Sequence, residues 1–499
     1  MKRIKSIYRF LVLTGCIVMT SCSNYLDIQP VGKVIPNTLE EYRALMTTAY
    51  SKDLLDRSVC DMRTKDITVK KDNIDQNNYG DIEKWINNST SAREFGWLDY
   101  YENIYYANAI IDKQDEITEG SEQDINQLVG EAYLMRGYMH FLLVNFYGQP
   151  YTKEGAPKTK SIPLKLTLDL EEIPSRNTVE EVYTSILEDI ESARNLITKK
   201  EWELGYNYRF NTLSVDAFEA RVRLYKGEWQ LAYDAAERVL KQKATLEDYN
   251  NPDAKANLYT SVESITAYER IYEPTSTLDA SKATQSFVDM FSEGDLRPIR
   301  YFGEKDNEVD YYPIIKTNGK VNYKCSFRVG ELYLNSAEAA ARLGHLPEAR
   351  NRLLQLMEKR YNPEKYELKK NEINKMEQEI LISEILDERA RELAFEGHRW
   401  FDLRRTTRPR IEKTLYSGQT IILEQNDERY TCTVPEGYEL PASDDFYHPS
   451  MMRNTLETFS FLPPTEAEAK LKSMSVPYTD LHSEHVNLED AFIGLTGKY

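Results

Sequence analysis

The sequence predicts a mostly α-helical protein whose helical hairpins form a scaffold for long irregular loops and a few short strands. Three observations predict it. Apolar residues recur at helical spacing over several long stretches. Two helix pairs turn at a glycine with small residues at matching offsets. The stretches between them lack periodicity yet are dense in aromatic residues. The chain has 499 residues, 41% hydrophobic and 29% charged, so it can bury a large core, and length alone allows two or three domains.

The amino terminus reads as an export signal. Lys2, Arg3, Lys5 and Arg9 precede an apolar run over residues 10–20, too short to span a bilayer and suited to a secretory signal. Small residues lead into Cys22, as in bacterial lipoprotein signals, so residues 1–21 are the expected signal peptide and Cys22 the lipid-anchor residue. Leu13-Thr14-Gly15-Cys16 is a rival site, but it would leave an apolar run of only about six residues. The mature part, residues 22–499, is expected to be one domain.

Removing the signal deletes four positive charges and no negative ones, moving the formal net charge from −18 to −22. That excludes nucleic acid as a partner, because phosphate neutralisation needs a basic surface. It also disfavours strongly anionic glycans unless a local basic pocket overrides the net value. After Cys22 come Cys60, Cys325 and Cys432, which allow one disulfide without demanding it and lack zinc spacing.

Residues 131–147 form a long, heavily apolar helix expected at the centre. Residues 178–197 are amphipathic, with Asn177 as a cap before Glu180 and Glu181. Helices at 214–226 and 230–241 join at Gly227, and helices at 329–343 and 347–360 join at Gly344. Ala220 and Ala337 precede those glycines by the same offset, and Ala232 and Ala349 follow them, then Ala236 and Leu353. Small residue, glycine turn and alanine at fixed offsets are the arithmetic of tetratricopeptide-type hairpins. The scaffold is expected over about 95–245 and 325–405.

Residues 57–97, 244–324 and 406–499 lack that periodicity. Short strands are expected at 420–423 and 430–434 in the irregular C-terminal part. Long loops in compact proteins are usually functional or disordered, and aromatic density argues against disorder. The first two regions are therefore the candidate ligand face. Tyrosine is the compositional outlier, with 35 residues against 16 Phe and 5 Trp; most should be scaffold. Tyr79 and Trp85 lie among Asp72, Asn73, Asn77, Asn78 and Asp81, and Tyr311 and Tyr312 lie beside Asp310. Flat rings beside planar polar groups suit sugar stacking and hydroxyl recognition, so Asn77, Tyr79, Trp85, Tyr311 and Tyr312 are the candidate ligand-binding residues.

The most informative stretch is 384–405, EILDERARELAFEGHRWFDLRR. Ile382, Leu386, Ala390 and Leu393 make one apolar stripe, and Glu384, Asp387, Glu388, Arg389, Arg391 and Glu392 are expected on the other faces. Gly397 is expected to end the helix, with Trp400 and Phe401 re-entering apolar contact. The string resembles the signature of the SusD/RagB family, outer-membrane nutrient-binding lipoproteins of Bacteroidetes. Other segments carry the same resemblance: Trp97 and Tyr101 leading into Ile104, Ala107 and Asn108; Arg136 through Tyr138, Phe141, Leu143 and Tyr147; Arg328 through Glu331, Tyr333, Leu334, Ala337, Glu338 and Ala339; and Cys22-Ser23-Asn24-Tyr25-Leu26-Asp27 at the expected mature end. Pro463-Pro464-Thr465-Glu466 is a looser version of the family's closing motif.

The resemblance implies a SusD-like fold and a cell-surface, lipid-anchored receptor. It would capture a glycan at the outer membrane and deliver it to a SusC-like TonB-dependent transporter. A peptide-binding, RagB-like member and a protein-only helical-repeat adaptor are the alternatives. No His-Glu-x-x-His, Gly-x-Ser-x-Gly or phosphate-binding glycine loop is present, so catalysis is not expected. His398-Arg399-Trp400-Phe401-Asp402 only superficially resembles a kinase catalytic loop, and His482-Ser483-Glu484-His485 are read as solvated. The motifs require no cofactor, and a structural calcium ion is compatible with the acidic loops.

Overall fold

Ser121 caps the longest helix by accepting from the Asp124 N–H, and the helix runs unbroken through Glu122–Tyr147. From Gln127 to Phe146 it is buried almost without interruption, so it is the central strut that the apolar sequence at 131–147 predicts. The computed structural model describes residues 36–52, 54, 56–71, 73–85, 97–169, 174–270, 280–305, 311–316 and 324–423. Cys22, the expected strand at 430–434, Cys432 and His482 to His485 lie outside them.

The principal helices are α1 (Leu39–Tyr50), α2 (Leu98–Asp112), α3 (Glu122–Tyr147), α4 (Val179–Leu196), α5 (Thr212–Lys226), α6 (Trp229–Leu240), α7 (Val329–Arg342), α8 (Leu346–Glu358), α9 (Pro363–Ile373), α10 (Gln378–Glu392) and α11 (Arg399–Arg405). Successive antiparallel pairs pack side by side: α3 on α4, α5 on α6, α7 on α8. Thr178, one residue beyond the expected Asn177, caps α4 in a capping box with Glu181. Asn177 instead accepts the Leu164 N–H at 2.9 Å.

The two glycine hairpins are separated by a long insertion in sequence but adjacent in space, because α6 packs directly on α7. Gly227 and Gly344 adopt φ of 75° and 79°, which a side chain would strain. Ala220, Ala232, Ala236, Ala337, Ala349 and Leu353 are fully buried, so small side chains let the helices approach as predicted. Between the hairpins, Arg352 grips the Glu237 carboxylate at 2.8 and 2.5 Å, and Ser336 donates to it at 2.7 Å.

The charged faces of α10 correct the sequence expectation. Glu388, Arg389, Arg391 and Glu392 are buried, as are Glu396, Asp402, Arg404 and Arg405 beyond the helix. Glu392 accepts from Arg328 at 2.7 Å, from two nitrogens of Arg360 at 2.9 Å, and from Arg297 at 3.3 Å. Arg297 also reaches Glu388 and Asp295, each at 2.7 Å. Burial alone would raise the Glu392 carboxyl, but Arg360 and Arg328 hold it well below the usual carboxylate range. The helix also ends at Glu392, short of the expected glycine. Gly397 serves a later turn, where φ is 71° and a β-carbon would lie 2.8 Å from the Arg57 backbone.

Breaking a wholly buried ion pair strands its partners. Glu392→Gln should therefore destabilise the protein by about 3–5 kcal/mol, read as a lower urea midpoint with an unchanged slope. A loss below ~1 kcal/mol would mean the cluster is no more than a surface-type pair.

Candidate functional site

The two regions expected to form a ligand face meet in one small sheet. Strands β1 (Ile67–Val69), β3 (Ser281–Thr284) and β4 (Tyr311–Pro313) pair antiparallel in the order β1-β3-β4. Ala283 lies between Ile67 and Tyr312, and Lys282 between Thr68 and Pro313. The short strands β2 (Ser264–Thr266) and β5 (Phe327–Arg328) pair separately, deeper in the scaffold. The hairpin of β6 (Ile411–Thr414) and β7 (Thr420–Leu423) closes the arrangement.

Local contacts hold the sheet to its surroundings. Gln76 Nε2 donates to the Val69 and Lys70 carbonyls at 3.2 and 3.1 Å, fixing the short helical segment that carries Asn77. Glu83 accepts the Val69 N–H at 3.1 Å and pairs with Lys413 of β6 at 3.2 Å. Lys413 also donates to the Met62 carbonyl at 2.8 Å. At the hairpin tip the Tyr416 N–H reaches Thr68 Oγ1 at 2.9 Å, and its ring stacks on Tyr311 with centroids 5.1 Å apart. Tyr311 donates its phenol to the Leu415 carbonyl at 2.8 Å. Tyr312 donates to Gln285 Oε1 at 3.0 Å, and Lys305 lies 5.8 Å from its ring centre.

Of the five expected residues, Asn77 is exposed and Tyr312 half-buried. Tyr311 is only 8% exposed, with Tyr416 over it. Tyr79 and Trp85 are corrections, because both are buried. Trp85 donates its indole N–H to the Arg63 carbonyl at 3.0 Å and meets Trp400 edge-on at 5.1 Å. The Arg63 guanidinium lies 5.1 Å from the Trp85 ring centre and 4.9 Å from that of Trp400. That indole is structural, and no face of it is open to a sugar. Sequence reasoning missed Tyr416, Gln285 and Lys305. Tyr416 had a local signal, since Tyr416-Ser417-Gly418 is a turn string between two alternating segments. Gln285 and Lys305 had none.

Beneath the sheet, residues 57–63, expected in the ligand-face loops, are interior. Asp61 accepts the N–H groups of Gly397 and Trp400 at 3.0 and 3.4 Å. Burial pushes its carboxyl up to about 7; those two N–H groups pull the other way, and nearby Asp66 pushes further up. Cys60 and Cys325 are free buried thiols, both pushed up by burial. Among the described residues, no group of His, Cys, Asp and Glu is placed to hold a metal ion, and no helix is long and apolar enough to cross a membrane.

Residues 24–224 match the family model described as starch-binding associating with outer membrane, and residues 233–477 match the SusD family model. The chain belongs to the SusD/RagB family. It is 25% identical over 487 residues to SusD-like protein P38 of Formosa agariphila, covering 82% of this chain and 93% of that one. The fold is similar to a SusD superfamily protein from Bacteroides thetaiotaomicron, with a TM-score of 0.66 and 21% identity, covering 79% of this chain and 96% of that one. It is also similar to a SusD-like carbohydrate binding protein from Bacteroides vulgatus, with a TM-score of 0.63 and 19% identity, covering 80% of this chain and 95% of that one. SusD-like proteins are binding proteins rather than enzymes, associated with the outer membrane, and they work with SusC-like transporters.

Two predictions follow from burial. Trp85→Ala should cost about 3–5 kcal/mol of stability, measured by denaturant titration, and weaken ligand binding only as far as the fold is lost. Asp61 holds more protons folded than unfolded between its ordinary value of 3.8 and about 7, so its contribution to stability falls as pH rises across that window. Relative to Asp61→Asn, the native chain should lose ~2–4 kcal/mol from pH 4 to pH 7.5. A pH-independent difference between the two would show that the carboxyl is ionised throughout.

Proposed function

We propose that this chain is a cell-surface receptor that captures a glycan and passes it to a SusC-like TonB-dependent transporter. In this reading residues 1–21 are removed as a signal peptide, Cys22 carries the lipid anchor, and the mature chain is a single domain facing outward. The observation that carries the glycan reading is the pair of half-buried tyrosines at the β1-β3-β4 sheet, Tyr312 on one face and Tyr416, stacked on Tyr311, on the other. Tyr312 is half-buried there, its hydroxyl held by Gln285. Tyr416 is half-buried against Tyr311, and Asn77 stands exposed on the short helical segment that Gln76 ties to β1.

Such a surface suits a sugar on elementary grounds. A pyranose offers an apolar C–H face, which packs on a flat ring, and equatorial hydroxyls, which need planar donors and acceptors at its edge. The phenol bonds fix the ring planes before a ligand arrives, so little side-chain freedom is lost on binding. Polymeric ligands gain further because successive sugars can occupy neighbouring contacts. The family's role in nutrient binding and the carbohydrate-binding relative from Bacteroides vulgatus support the same reading.

The test is affinity electrophoresis of lipid-free residues 23–499 through gels containing a panel of polysaccharides, with peptide mixtures titrated by calorimetry in parallel. Tyr312→Ala or Tyr416→Ala, according to the face the glycan occupies, should weaken binding to the retarding glycan about 5–10-fold, with stability otherwise retained. Retardation that both variants leave unchanged would remove the ligand from this sheet. Heat from peptides with silence across the glycans would place the chain with the peptide-binding members.

A further inference from the structure

The loop between α4 and α5 combines exposed apolar, aromatic and basic groups that the candidate ligand site does not use. Its framework is fixed. Gln127 Oε1 accepts the N–H groups of Thr198 and Lys199 at 3.1 and 3.0 Å. Trp202 donates to the Phe210 carbonyl at 2.9 Å, and Asn207 to the Tyr259 carbonyl at 2.6 Å. Between these ties Gly205 turns the chain with φ of 96°, leaving Leu204 66% and Tyr206 48% exposed. Behind the tip, the Arg209 guanidinium lies 5.1, 4.7 and 5.5 Å from the ring centres of Trp202, Tyr206 and Tyr208. Its Nε is buried without a hydrogen-bond partner, and among the described residues no carboxylate pairs with Arg209, Lys199 or Lys200. Glu201 lies 3.9 Å from Lys243, and Glu203 is exposed.

We propose that this loop is a second membrane contact, in which Leu204 and Tyr206 enter the headgroup boundary while Lys199, Lys200 and Arg209 engage phosphate-bearing headgroups. The proposal rests on the lipid-anchored reading above. An exposed leucine at a rigid tip, flanked by Trp and Tyr, matches what partitions into a bilayer interface. Basic groups outnumber acidic ones in this loop although the chain as a whole carries a formal charge of −18, and anionic headgroups attract such a local excess. The position fits as well. Arg43 of α1 lies 5.9 Å from the Trp202 ring, and Tyr50 of α1 meets Tyr208 edge-on at 5.3 Å. Helix α1 is the first helix of the described fold after Cys22 in sequence, and the loop packs along it. A sugar platform fits less well, because Lys199 and Arg209 already lie against the Trp202 ring.

The experiment uses the full lipidated chain in vesicles of brominated phosphatidylglycerol, floated on a density gradient. Bromine quenches tryptophan that reaches the bilayer. Of the 5 tryptophans, Trp85 and Trp400 are fully buried and Trp97 and Trp229 are half-buried outside this loop, so the quenching that Trp202→Phe removes is the readout of contact at this loop. The floated protein should lose fluorescence relative to unbrominated vesicles, Trp202→Phe should abolish most of that loss, and Leu204→Ser should at least halve it while leaving Trp202 in place. Flotation without quenching, or equal quenching in all three proteins, overturns the proposal but not the anchor. Protection of Trp202 by a co-reconstituted transporter in place of lipid overturns it in favour of a protein contact. Failure to float sinks the anchor reading and this proposal together.

Discussion

Glu392 is the point on which the scaffold and the sheet both depend. Its two carboxylate oxygens receive Arg328 from the start of α7, Arg360 from the end of α8, and Arg297 from the loop-rich insertion. Four segments distant in sequence therefore share one charge that has no access to water. Coulomb attraction in such a site is strong only while every partner is present, since burial penalises each charge separately. The cluster thus makes the packing of α7, α8 and α10 and the placing of the insertion a single event. An apolar core of equal volume would tolerate small slips; this one does not.

The sheet inherits its position from the same cluster. Lys316 follows β4 and donates to Glu396 at 2.6 Å and to the Glu392 and Ala394 carbonyls at 3.1 and 3.0 Å. Burial drags the Lys316 ammonium down, and Glu396 opposes it. Glu396 is shared with Arg328 at 2.9 Å, so the strand bearing Tyr311 and Tyr312 is bolted to the charged centre. On the other side, Asp61 ties the segment before β1 to the Gly397 turn, and Arg399 reaches Asp66 at 2.9 Å. The rings of the candidate site are thereby held from two directions.

How far the sequence reveals this depends on the range of the signal. Helices α3 to α8 were legible because helical periodicity is local and strong, and the hairpins because the glycine and alanine offsets repeat. The family was legible for the same reason, as its segments coincide with those helices. The β1-β3-β4 sheet was not, because its strands are three or four residues long and β1 pairs with β3 from the far side of the helical scaffold in sequence, Ile67 with Ala283. The charges of α10 were misplaced because a string of Glu and Arg reads alike whether it is solvated or paired in the interior. Trp85 was misread for a related reason. Asn and Asp around a tryptophan suggest a sugar face, whereas the partners that enclose it, Arg63 and Trp400, come from elsewhere in the chain. Composition singled out Tyr312 and Asn77, which the structure leaves half-buried and exposed, and passed over Tyr416 although the strand that follows it was expected.

The abundance of buried arginine follows from the same loop-rich architecture. A helix satisfies its own backbone groups, but an irregular segment packed inside leaves carbonyls that need donors. Here long cationic side chains supply them. At the surface the half-buried Arg300 does the same for an irregular segment, donating to the carbonyls of Tyr249, Asn251, Pro252 and Ala254. Arg404 reaches those of Asn145 and Gly148, Arg221 that of Ser326, and Arg360 that of Glu247. Each guanidinium has five donors in a rigid fork, so one residue can serve a carboxylate and a loop carbonyl together. Arg360 and Arg221 do both, pairing with Glu392 and Glu331 respectively. The carboxylates of α7 and α10 are what allow those arginines to be buried at all. The acidic and basic residues that crowd the 384–405 signature are thus the means by which a helical scaffold holds long loops in fixed positions, and a fixed loop is what a preorganised binding surface requires.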